Sequence, residues 1–62
     1  MKVREVLSRL RADGWQVVRT QGSHRVLKHP SKSGIVVLPG NANDDVAPGT
    51  LRSIWKQARI GD

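Results

Sequence analysis

Apolar residues recur with a helical period at both ends of the chain and lose that period in between. Val3, Val6, Leu7 and Leu10 fall at i, i+3, i+4 and i+7, with Lys2, Arg4, Glu5, Ser8, Arg9 and Arg11 at the remaining positions. This predicts an amphipathic helix over about residues 2–13, with Gly14 as a left-handed stop. Leu51, Ile54, Trp55 and Ala58 repeat the spacing behind Pro48, which suits the first turn of a second helix over about residues 48–59. Each helix must bury its stripe. In 62 residues the one partner available is the segment between them, so a single domain over 1–62 is expected.

That segment reads as strands. Trp15 to Gln21 is rich in β-formers, with Trp15 and Val17 alternating onto one face and Gln16, Val18 and Thr20 onto the other. Gln21-Gly22-Ser23 makes a turn, and His24 to His29 forms a second strand ended by Pro30. Ser31 to Gly34 is another turn, and Ile35 to Leu38 is an apolar run closed by Pro39-Gly40. The order is α-β-β-β-α. Both helical stripes can share one core only by packing on the same face of a three-stranded antiparallel sheet, a two-layer α+β arrangement. Trp15 and Trp55 sit inside apolar patterns and are expected in that core. The opposite sheet face is left for function.

Composition narrows what that function is. Eleven Lys and Arg against five Asp and Glu give a net charge of +6, a dense positive field that favours a polyanion such as RNA. An acidic protein partner would satisfy the same charge. The absence of cysteine removes disulfides, thiolate metal sites and a cysteine nucleophile, and fits a reducing cytoplasm. The first residues carry no apolar export signal and no run approaches a membrane span, so a cytoplasmic protein is expected. A domain this small has no room for a cofactor-binding half, and no cofactor is expected. Asn41-Ala42-Asn43-Asp44-Asp45 is oxygen-rich but lacks the spacing of a calcium loop, and is read as turn chemistry. No metal site is expected.

Two histidines remain. Alternation along the second strand sends residues 24, 26 and 28 to one face and 25, 27 and 29 to the other, so His24 and His29 point apart. RNA cleavage without metal needs a group that moves protons at the ribose 2′-hydroxyl or the departing 5′-oxygen, and imidazole titrates near neutrality. His24 follows a Gly-Ser turn, with Arg25, Lys28 and Lys32 close in sequence to meet phosphate charge. Ser23 beside His24 lacks an acidic orienting residue for a nucleophilic role. From composition and spacing alone, the reading of His24 as a polar residue ending a hairpin is the favoured one.

A set of short motifs goes further: Gly14-Trp15, Gly22-Ser23-His24-Arg25-Val26, His29-Pro30, Val37-Leu38-Pro39, and Pro48-Gly49-Thr50-Leu51-Arg52-Ser53-Ile54 followed by Lys56-Gln57-Ala58. In this order and spacing the chain resembles the HicA toxins, from the first helix to Ile60. The resemblance implies a fold like the double-stranded-RNA-binding domain. It implies an mRNA-cleaving endoribonuclease, held inactive by a HicB-type antitoxin, with His24 catalytic. Gly22, Ser23, Arg25, Lys28 and Lys32 are the residues then expected to meet RNA. Two departures stand out: Gly40-Asn41 where many members carry a second histidine, and Arg59 where many carry glycine. The first leaves His24 to act alone. The alternatives are a non-catalytic double-stranded-RNA-binding module and a basic protein-interaction domain.

Overall fold

The computed structural model describes residues 1–60. Its elements run α1 (Val3–Asp13), β1 (Gln16–Gln21), β2 (His24–Lys28), β3 (Val36–Leu38) and α2 (Pro48–Ala58). The strands form an antiparallel sheet in the order β1-β2-β3. This is the α-β-β-β-α order expected of the double-stranded-RNA-binding-like class. One continuous core joins Val3, Val6 and Leu10 of α1 and Ile54, Trp55 and Ala58 of α2 to Trp15, Leu27, Val36 and Leu38. Both helices therefore cover the same sheet face, and both tryptophans are buried. Trp15 donates its indole N–H to the Ala58 carbonyl at 3.2 Å, and the Arg9 guanidinium lies 5.5 Å from the centre of the Trp55 ring. No described helix is long and apolar enough to cross a membrane.

The helix ends are held by chemistry the sequence only partly announces. The first N–H groups of a helix have no partner inside it; here Val3 donates to the Asp44 carbonyl at 2.9 Å and Arg4 to that of Ala42 at 3.1 Å. Glu5 returns its carboxylate to the Lys2 N–H at 2.7 Å. The Asn41–Asp45 loop thus caps α1. At the other end Trp15 and Gly14 donate to the carbonyls of Leu10 and Arg11, both at 3.0 Å, with Gly14 at φ 110°, which is a Schellman stop. α2 ends the same way, Ile60 donating to Trp55 at 3.0 Å and Arg59 to Lys56 at 3.3 Å. There the left-handed position is held by Arg59, at φ 55° and ψ 39°.

One register break changes which residues share a face. Val17 pairs with Leu27, but Arg19 pairs with Val26, leaving Val18 as an extra residue in β1. Leu27, Val36 and Leu38 face the helices, so their neighbours Val26 and Val37 face away. Simple alternation groups Thr20 with Val18 and Gln16. Beyond the bulge this pattern inverts: Thr20, opposite Arg25, turns to the helix side, while Arg19 and Gln21 join the open face.

Candidate functional site

The hairpin between β1 and β2 closes on two residues, Gly22 and Ser23, between the paired Gln21 and His24. Gly22 has φ 59° and Ser23 stays out of the positive region, the pattern of a type II′ turn whose first position favours glycine. A Cβ at Gly22 would meet nothing within 4 Å, so conformation rather than space calls for glycine. The turn delivers His24 to the tip of the open face, solvent-exposed and with no side-chain hydrogen bond to another described residue.

Around it, among the described residues, the open face carries cations and apolar groups and no carboxylate. None of the three strands contains Asp or Glu; the described acids are Glu5 and Asp13 of α1 and Asp44 and Asp45 of the capping loop. Arg19, Gln21 and Lys28 lie on the His24 side with Val26 and Val37, and Val37, Val18 and Ile35 are well exposed. With both tryptophans in the core, this face offers bases no aromatic platform beyond the His24 ring. Lys28 is four residues along β2, about 13 Å from His24 at the usual strand rise.

The other expected contact residues lie elsewhere. Arg25 turns to the helix side and donates to the Gly40 carbonyl at 2.9 Å. Lys32, beyond the far end of β2, places its ammonium 2.6 Å from the Asp13 carboxylate and donates to the carbonyls of Ala58 at 3.1 Å and Arg59 at 3.3 Å. It closes the end of α2 onto the end of α1. The Lys32 hydrogen bond holds the Asp13 carboxyl below its ordinary value. The structure therefore groups Gly22, Ser23 and His24 at the hairpin tip, with Lys28 farther along the same face, and separates Arg25 and Lys32 from them. Arg19 was not foreseen, because only the bulge brings it there.

His29 is built into the fold. Its Nδ1 accepts from the backbone N–H groups of Ser31 at 3.0 Å and Lys32 at 3.2 Å. Those bonds leave the proton on Nε2, which donates to the Asp13 carbonyl at 2.7 Å. The ring also meets Trp15 edge-on, with centroids 5.3 Å apart. His24 and His29 thus lie on opposite faces, and among the described residues no three His, Asp or Glu side chains cluster to hold a metal ion.

The family model describing the HicA toxin of bacterial toxin-antitoxin systems matches residues 3–60 of this chain. No curated protein matches it.

Proposed function

The chain belongs to the HicA toxin family of bacterial toxin-antitoxin systems, and from that premise we propose that it is a metal-independent endoribonuclease that cleaves mRNA through His24. A HicB-type antitoxin neutralises it, a single domain over residues 1–62 carries the activity, and its mRNA substrate places its action in the cytoplasm. The observation that carries this reading is one exposed imidazole at a glycine-set hairpin tip, without a partner or a carboxylate on its sheet face among the described residues.

The chemistry follows from that placement. The ribose 2′-oxygen bonds to phosphorus as the bond from phosphorus to the 5′-oxygen breaks, leaving a cyclic phosphate and a 5′-hydroxyl. One proton leaves the 2′-hydroxyl and one reaches the 5′-oxygen. His24 handles one of these transfers, and solvent, which reaches the exposed tip freely, handles the other. A carboxylate-free face does not repel the phosphate backbone, and Lys28 adds attraction along the strand.

Expression of wild type and His24→Ala tests the reading. Growth arrest and loss of mRNA are expected from the wild type alone, while the purified variant still binds RNA. Continued mRNA cleavage by His24→Ala would overturn the assignment. An inactive wild type that binds RNA tightly would favour the non-catalytic module.

A further inference from the structure

We propose that Arg19 binds the phosphate under attack, with Gln21 holding its guanidinium beside His24. The proposal rests on His24 as the proton-transfer group. An imidazole that moves a proton does nothing for the negative charge that builds on the non-bridging oxygens as the 2′-oxygen attacks, so a second, cationic group must meet it. Arg25 is committed to the Gly40 carbonyl on the helix side, and Lys32 to Asp13 and the end of α2. Lys28 lies two residues beyond Val26 on the same face, about 13 Å from His24.

Arg19 lies opposite Val26, diagonal to His24 across the β1–β2 pair. Such diagonal neighbours lie about 7–8 Å apart, with their Cβ atoms somewhat closer, a gap that long side chains span. Its Nη2 donates to Gln21 Oε1 at 3.1 Å, and Gln21 is the direct cross-strand partner of His24. One of the five guanidinium N–H groups is thereby used to aim the fork, and the others remain for phosphate oxygens. Arg19 is exposed, and among the described residues no carboxylate pairs with it. Arg19 keeps its proton throughout and contributes charge and hydrogen bonds alone.

The bulge is the independent sign that this placement is built in. Were β1 paired regularly, Val18 would take the place opposite Val26 and Arg19 would fall opposite Arg25, sending Arg19, and with it Gln21, to the helix side. Bulges commonly re-aim a side chain beside a working site. Here leaving Val18 out of the pairing sets two polar side chains on the face that carries His24.

Single-turnover cleavage and equilibrium binding of one defined RNA, with thermal melts, test the proposal on Arg19→Ala, Arg19→Lys, Gln21→Ala and His24→Ala. Lys56→Ala, on the opposite layer, controls for lost charge. The expected result for Arg19→Ala is a cleavage rate down about 100-fold, RNA binding within a few-fold of Lys56→Ala, and partial recovery on adding guanidinium ion. Arg19→Lys should retain more activity than Arg19→Ala, and Gln21→Ala should fall between wild type and Arg19→Ala. If Arg19→Ala does not fold, Arg19→Gln takes its place. Cleavage within about threefold of wild type, far below the effect expected of a lost charge-stabilising donor, overturns the role of Arg19 while His24→Ala remains inactive. A His24→Ala variant as active as wild type overturns the underlying reading instead.

Discussion

Gly14 and His29 leave no room between them: a Cβ on Gly14 would stand 2.6 Å from His29 Nε2. The same Nε2 donates to the carbonyl of Asp13, one residue earlier, and the ring rests edge-on against Trp15, one residue later. The Gly-Trp and His-Pro motifs, far apart in sequence, are thus one knot that fastens the end of α1 to the end of β2. They specify the fold and stand apart from His24.

Gly14→Ala should destabilise the protein by about 2–4 kcal/mol, combining left-handed backbone strain with an overpacked contact. His29→Ala should cost about as much through lost hydrogen bonds and a cavity. Because removing the ring opens the space that the Cβ needs, the double variant should be less destabilised than the sum. Chemical denaturation of all four proteins measures this. Strict additivity would contradict the steric account. Folded His29→Ala should still cleave RNA.

At the end of α2 the left-handed position that Gly14 fills for α1 is held by Arg59. Arg59→Gly should therefore stabilise the protein by about 1 kcal/mol, since a side chain at positive φ carries a cost that glycine avoids. The carbonyl that accepts from Lys32 is retained. A raised denaturation midpoint at unchanged slope is the expected readout; an unchanged or lower midpoint would contradict the Schellman assignment.

The Asp13–Lys32 contact sets an acid limit. The Asp13 carboxyl titrates below its ordinary 3.8 in the folded protein because Lys32 hydrogen-bonds its charged form. The unfolded chain then takes up this proton first as pH falls. The contribution is complete above about pH 4 and is lost as pH drops through the folded value. Asp13→Asn should be less stable at neutral pH and lose less on acidification. Unfolding at a series of pH values tests this, and parallel curves for variant and wild type would contradict it.

Much of this architecture is legible from residue order. Val3, Val6 and Leu10, and Ile54, Trp55 and Ala58, carry a period that one face of a sheet can bury, and Gly22-Ser23 fixes where His24 emerges. The bulge at Val18 is not legible, because register is set by Val26 and Leu27 on another strand. Lys28 and Lys32 look alike in sequence. Only the tertiary fold shows that Lys32 meets the carbonyls ending α2 while Lys28 stays on the open face. Likewise nothing local reveals that carbonyls of the Asn41–Asp45 loop accept from the first N–H groups of α1.

Lys28→Ala should weaken RNA binding by a similar factor for unrelated sequences and reduce its salt dependence by roughly one counterion. A loss confined to one RNA sequence would mean that Lys28 reads a base instead. Titrations of two unrelated RNAs over a salt series distinguish the outcomes.

The most direct test of the central claim is cleavage of a defined RNA by wild type and His24→Ala in excess EDTA, with analysis of the product ends. Acid–base catalysis by His24 predicts full wild-type activity, cyclic-phosphate and 5′-hydroxyl ends, and no cleavage by a folded His24→Ala. Loss of wild-type activity in EDTA, or 3′-hydroxyl and 5′-phosphate ends, would contradict it even with the variant inactive, because His24 would then be a metal ligand or a structural residue.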